Sequence, residues 1–455
     1  MASTTTEIET ASLAATLDLR TKLAWGIAGL GSEALRQSRV AWLVFFYASA
    51  STTGSTARLS LVTVSLLFSV GKLLEAFADT LIGHWSDRTR SRLGRRLPFI
   101  LLASPPMTLL AILLFTPPAH LSGLVTGLYF FTILEAFFLC NSLVSVPYES
   151  LLPEIASTRD DRVTITSWRV QFGVVGAGVG LIGSGLLISQ FGYQVMAVTL
   201  ALLALVTRYV GVMGIWSRTR RDTPRESAPY LETLRLTVSN RPFLIFMISF
   251  VLFSTGLSIV IGLLPFYVTA VLRESDTGTW SGLLTAVGIA SMAVAIPLFG
   301  RFAKRTSNEH AYLRAMLACA IAFQILFFAG SLPGIPRAVQ AFVALVIVGA
   351  PLAGVYLFPG PIIAEHCDAE LNKSGLRREG MFFSTQAFTD KVVEAFAPLV
   401  LGFVLLLGHE PGTDWGVRLV GPVAGLLVLS GYVLFRSKGG VENGQGSEIA
   451  PALDS

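Results

Sequence analysis

Apolar residues in this chain gather into stretches of about 20 or more that recur at regular intervals, each long enough to cross a bilayer as a helix. About twelve can be counted. They cover 22–50, 59–86, 97–117, 122–151, 164–190 and 194–216, then 243–270, 279–302, 311–331, 338–365, 380–408 and 415–436. No βαβ pattern interrupts the series, so the sequence predicts an all-α integral membrane protein. Residues 1–20 read as a disordered cytoplasmic tail, 21–216 as a six-helix bundle and 217–241 as a central cytoplasmic loop. A second bundle at 242–436 and a tail at 437–455 complete the order. Within the central loop, Tyr230–Val238 has the spacing of a short amphipathic helix, with Leu231, Leu234 and Val238 toward lipid.

Composition agrees. Of 455 residues 53% are hydrophobic and 14% charged, against about 25% charged in soluble domains. Mean hydropathy is +0.65. The net charge of +5 sits in a few short loops rather than on one face, which argues against a nucleic-acid partner. Cys140, Cys319 and Cys367 are scattered, and the five histidines form no metal-binding pattern. Residues 1–20 lack the basic start and apolar core of a signal peptide. There is no Walker A motif, no nucleophile–base set and no metal constellation, so neither an enzyme nor a cofactor is expected.

The basic residues also set the orientation. Arg88–Arg96 follow span two, Arg159 and Arg162 span four, and Arg218–Arg225 span six. Arg301, Lys304 and Arg305 end span eight, and Lys373, Arg377 and Arg378 follow span ten. The alternate loops carry only isolated cations, Arg58, Arg273 and Arg337. Both termini are therefore expected in the cytoplasm of a cell (inner) membrane protein. The two halves echo each other: spans two and eight end in Gly83 and Gly300 before basic loops, and spans four and ten run into mixed charge around Asp161 and Asp368. Two such six-helix halves, with a site at midplane between them, resemble the plan of major facilitator transporters.

Three ionisable residues, Lys72, Glu75 and Asp79, lie inside span two. Each costs about 2.5–3.5 kcal/mol on insertion scales, and spacings of three and four put them on one helix face. A cation or proton site with its own counter-charge fits; structural pairing with other helices is the alternative.

Several stretches resemble the glycoside–pentoside–hexuronide:cation symporters, the melibiose-permease-like branch of the superfamily. They are Lys22–Gly26 with Gly29 and Gly31; Glu75, Asp79 and Gly83 followed by Thr89–Gly94 and Pro98; Val146–Glu154 with Arg162 and Arg169; and Arg378–Phe383 leading to Lys391. The run Arg92–Ile100 is also similar to sucrose transporters. The resemblance implies that Glu75 and Asp79 bind the coupling cation, Na⁺, Li⁺ or H⁺, and their hard anionic oxygens suit that task. It implies charge compensation by Lys72 and Lys391, the latter also supporting sugar; Glu394, one turn on, is an alternative partner for Lys391. Glu33 and Arg169 match family sugar contacts. On span four the match fails: Ser145 stands for an aspartate and Glu149 for a tryptophan, so melibiose specificity is not implied. Asn141, Ser142 and Ser145 still form a polar stripe, placing Ser142 and Ser145 with the cation and Ser145 and Glu149 with the substrate.

Arg36 and Arg39 add charge to span one; they either attract an anionic group, such as a uronate carboxylate or a phosphate, or pair with Glu33 and Glu135. Asp87, Arg88, Arg95, Asp161, Arg162, Asp368, Arg377 and Arg378 are expected to form a cytoplasmic gate, or serve topology alone. Gly94 and Gly380 are expected at tight turns. The whole reads as a secondary active carrier: cation-coupled symport of a sugar or glycoside by alternating access. A lysophospholipid or other amphiphile carrier, a proton-coupled drug exporter and a transport-dead sensor are the alternatives. A small-molecule solute and lipid are the expected partners, and the chain is expected to be a monomer. Fusions of a cytoplasm-active reporter enzyme after Arg92 or Arg221 should be active and those after Ala119 or Gly192 silent; the reverse pattern would overturn the orientation.

Overall fold

Hydrocarbon offers the backbone no water, so an apolar run crossing it must close its hydrogen bonds within itself as a helix. The structure, a computed structural model, describes residues 17–49, 57–89, 91, 93–118, 122–156, 159–216, 240–374 and 379–438. Helix α1 spans Leu19–Ala48, α2 Leu61–Arg88, α3 Leu97–Leu113 and α4 Gly123–Ser150, followed by a single turn, α5, at Leu152–Ile155. Helix α6 (Arg159–Gly178) continues through a π-turn at Val179–Gly183 into α7 (Ser184–Ile215). Gly192 breaks α7 with a φ of 81°, which divides the two spans expected there. Helix α8 (Arg241–Tyr267) ends in a second π-turn, Val268–Leu272. Then come α9 (Thr277–Arg305), α10 (Asn308–Phe328), α11 (Arg337–Leu357), α12 (Pro359–Ser374), α13 (Glu379–Leu405) and α14 (Trp415–Lys438). The described residues contain no strand. Eight stretches among them are long and apolar enough to cross a membrane.

Local chemistry starts several helices. Asn240 accepts from the Phe243 amide at 3.2 Å, Asp276 from Thr279 at 3.0 Å and Ser307 from His310 at 3.2 Å, capping α8, α9 and α10. Gly94 has a φ of 89° in the turn before α3, as its sequence context predicts. Gly380 differs: it is the second residue of α13, where the backbone is helical rather than turned. Tyr230–Val238, Arg377 and Arg378 lie outside the described residues.

Contacts divide the chain into two compact units. The first comprises Met1–Leu43 and Leu74–Glu226, the second Val44–Leu73 and Ser227–Ser455. In the first, α3 packs on α4 and α7, while α1 and α6 meet through glycine. A Cβ on Gly29 would lie 2.6 Å from the Arg169 carbonyl oxygen, and on Gly176 or Gly180 it would overlap the carbonyls of Leu30 and Ala34. Gly176 and Gly180 thus form a small-residue seam that lets two backbones touch, the packing that holds helices together in lipid.

In the second unit α14 packs between α8 and α10, and α9 lies along α11. Phe246, Tyr312 and Phe435 form a ring cluster there, with centroids 5.5–6.0 Å apart. The first half of α2 runs beside α13: a Cβ on Gly402 would clash with Ser65, and Ser69 Oγ donates to the Ala395 carbonyl at 2.6 Å.

The glycine seam makes a sharp expectation. Gly176→Val should lower the unfolding temperature of the purified protein by the equivalent of roughly 1–3 kcal/mol or more, the usual cost of overpacking. Gly178→Ala, whose Cβ would meet nothing within 4 Å, should leave it unchanged. Equal effects would show that the seam does not hold α1 to α6.

Candidate functional site

Helix α2 carries Glu75 and Asp79 one turn apart, and α4 answers with two adjacent polar residues. Asn141 Nδ2 donates to Glu75 Oε1 at 2.8 Å. Ser142 Oγ donates to Asp79 Oδ1. Glu75 is 2% exposed and Ser142 fully buried, whereas Asp79 is half-buried. The polar stripe read from α4 therefore meets the acidic face of α2, and Asn141 and Ser142 are the residues that make contact. Ser145, one turn on, is half-buried and has no side-chain hydrogen bond among the described residues. Glu135, two turns before Ser142, lies in the electrostatic field of Glu75 and buries an oxygen that accepts no hydrogen bond there.

One turn before Glu75, Lys72 is 4% exposed, and its ammonium lies 2.5 Å from Glu394 of α13. The pair explains how a lysine can be buried at this depth. Glu394, which the sequence offers as a partner for Lys391, is thus the counter-ion of Lys72, a residue more than 300 positions away that no local pattern connects to it. Lys391 itself stands half-buried on α13, one turn before Glu394.

A second group of charges lies on α1, α4, α6 and α7. Glu33 and Arg36 form an ion pair on α1 at 2.7 Å, with a further bond from Nε at 3.0 Å. This is the local pairing the sequence allows as an alternative to anion binding. Arg39, 6% exposed, stacks its guanidinium 4.4 Å from the centre of the Phe137 ring and 5.8 Å from that of Phe138. Glu149 pairs with Arg169 at 2.7 Å. Beneath Arg169 lie Trp25 and Tyr148, rings stacked at 5.4 Å, with the Tyr148 hydroxyl donating to the Trp25 carbonyl at 2.7 Å. Trp25 is 1% exposed and backs Arg169 instead of offering a free face to a sugar. Close helix packing sets this arrangement, since a Cβ on Gly173 would sit 3.4 Å from Glu33 Cγ. Helix α7 adds Arg208, buried and bonded to Ser32 Oγ at 2.8 Å. Sequence reasoning missed it, because a single arginine near the end of a span carries no motif.

At the basic loops, Glu154 receives Arg95 and Arg96, each at 2.7 Å. Asp161 holds Lys22 at 2.7 Å and accepts the Leu17 amide on both oxygens, at 3.2 and 3.3 Å. Arg95 and Asp161, expected in a gate, thus have partners inside the first unit. Arg88 is exposed in the last turn of α2, where its charge suits the helix C-terminus. Asp87, Arg162 and Asp368 stand on α2, α6 and α12. Among the described residues no three of His, Cys, Asp and Glu gather as a metal cluster.

The Lys72–Glu394 pair can be tested by a double-mutant cycle. Lys72→Met alone leaves a buried carboxylate without its cation and should cost about 3–5 kcal/mol. Lys72→Met with Glu394→Gln should recover most of that in thermal unfolding. A double variant no more stable than Lys72→Met would show that the pair is not energetically coupled.

With this geometry in view, the relatives are informative. The sequence profile of the family described as MFS/sugar transport protein matches residues 24–408. A putative 2,3-dihydroxypropane-1-sulfonate exporter of Salmonella typhimurium is 26% identical, the match covering 92% of this chain and 90% of the exporter. A putative glycoside/cation symporter, YagG of Escherichia coli, is 25% identical over 86% of this chain and 83% of its own length. Among solved structures, the nucleoside transporter NupG superposes with a TM-score of 0.63 at 14% identity, covering 92% of this chain and all of that one, a likeness of fold. The chain belongs to the MFS/sugar transport protein family, in its glycoside–pentoside–hexuronide:cation symporter branch, and is a membrane carrier of the twelve-helix major facilitator fold.

Proposed function

We propose that this carrier moves its sugar or glycoside by symport with a cation bound between Glu75 and Asp79. One observation carries the reading: two intramembrane acids a turn apart on α2, with the Asn141 amide bonded to Glu75 and the Ser142 hydroxyl to Asp79. These donors fix the positions of both carboxylates, whose hard anionic oxygens suit an arriving Na⁺, Li⁺ or proton. Rotation of the Asn141 amide would turn Oδ1 toward such an ion, adding a hard oxygen ligand beside the Ser142 hydroxyl. Lys72, one turn away on the same helix, is tied to Glu394. Neutralising the acids lowers the cost of the buried site and favours the conformation that accepts sugar.

The sugar is assigned to Glu33, Arg36, Glu149 and Arg169, whose ion pairs are partly exposed and can exchange one another for hydroxyl groups. Ser145 and Lys391 are each assigned to substrate binding as well. The name of the glycoside/cation symporter supports the choice of cargo and coupling. The carrier acts as a monomer in the cell (inner) membrane with both termini in the cytoplasm, drawing energy from an ion gradient.

Purified protein in proteoliposomes, offered a panel of glycosides under separate sodium and proton gradients, tests this. Uptake of at least one sugar should rise about tenfold or more with one gradient, a change of roughly 1.4 kcal/mol in driving force, and Asp79→Asn should abolish the rise. Uptake indifferent to both gradients would remove the symport reading.

A further inference from the structure

Arg208 stands apart from the other charges of the first unit. It lies in the last two turns of α7, is 5% exposed, and has one hydrogen-bond partner among the described residues, the Ser32 hydroxyl at 2.8 Å. No carboxylate of the described residues pairs with it. The neighbouring arginines are differently placed: Arg36 has Glu33 and Arg169 has Glu149, each at 2.7 Å. A guanidinium carries five N–H donors in a planar fork and stays charged. One hydroxyl leaves most of that fork unused, and a buried charge without a counter-ion costs several kcal/mol.

The surroundings put this cation beside the residues assigned to the sugar. Ser32 adjoins Glu33 on α1, and Gly31 packs against Thr207, the residue before Arg208. One turn along α7, a Cβ on Gly211 would lie 2.6 Å from the Tyr148 hydroxyl, so Arg208 shares its helix face with the ring pair that supports Arg169. Its charge is felt by Tyr148, Arg169 and Glu149. Counting Glu33, Arg36, Arg39, Glu149, Arg169 and Arg208, the group holds four cations and two anions, an excess of positive charge that fits an anionic substrate.

Resting on the sugar-symport reading, we infer that Arg208 selects an anionic sugar, one bearing a carboxylate or sulfonate. The acidic group accepts the open edge of the Arg208 fork through two parallel N–H···O bonds, while the ring hydroxyls go to Glu33, Glu149 and Arg169. A planar carboxylate or a pair of sulfonate oxygens matches the fork; a neutral hydroxymethyl group does not. Arg208 is a specificity-determining residue in this scheme, and the coupling acids on α2 are independent of it.

Binding measured on purified protein decides the point, by thermal shift and by competition, with glucuronate, a hexose 6-sulfonate and uncharged methyl glucoside as probes. Wild type should prefer at least one acidic sugar to methyl glucoside. Arg208→Gln should weaken the acidic sugar about tenfold or more, as expected when a charged hydrogen bond is lost, and shift methyl glucoside by less than about twofold. Arg208→Lys, which keeps the charge but not the fork, should fall between them. Equal weakening of acidic and neutral sugars would reduce Arg208 to a tether between α7 and α1 and overturn the inference. A wild type that binds methyl glucoside best would also overturn it while leaving sugar symport standing; a wild type that binds none of the three would overturn both.

Discussion

Charge buried among apolar helices must be answered by charge or by hydrogen bonds, and that requirement organises this carrier more than any other. Lys72 at 4% exposure is answered by Glu394. Glu75 at 2% is answered by an amide and Asp79 by a hydroxyl. The two solutions differ in consequence. A lysine facing a glutamate is a closed pair, and either partner alone would be expensive. A carboxylate accepting from a neutral donor is held in a set position by that bond, and its oxygens are of the kind a small cation or proton binds.

Packing without a hydrophobic driving force brings these groups to their distances. In lipid, helices gain from close backbone contact, and glycine is the residue that permits it. Gly29, Gly176 and Gly180 draw α1 onto α6, which sets Glu33 beside Gly173 and Arg169 one turn away. The same face of α1 carries Ser32 toward Arg208. A wider separation would part Glu33 from Gly173 and Ser32 from Arg208, so the small residues of this bundle set the spacing of its charged groups.

Helix positions were legible in the sequence because a run of about 20 apolar residues has only one structure open to it in a bilayer. Most boundaries followed within a few residues, though the run 338–365 is divided between α11 and α12 at Phe358, and Gly192 divides the spans expected on either side of it. The polar contact between α2 and α4 was partly legible: Glu75 and Asp79 share a face by their spacing, and Asn141 and Ser142 announce a polar stripe within an apolar helix. Pairing of Glu33 with Arg36 follows from three-residue spacing alone. What stayed hidden depends on tertiary contact. The Lys72–Glu394 pair joins distant parts of the chain. Arg208 resembles an ordinary cation at the end of a span until its burial is known. Gly380 reads as a turn because glycine is common there, but it stands second in α13.

The central claim is that Glu75 and Asp79 hold the ion that drives transport. Its most direct test is equilibrium binding of that ion to purified protein: calorimetric titration with sodium and with lithium, and proton uptake or release in weakly buffered solution when sugar is added. The account predicts one saturable ion site in wild type and its loss in both Glu75→Gln and Asp79→Asn, with the fold of each variant intact by thermal unfolding. Folded variants that bind the ion as tightly as wild type would contradict it.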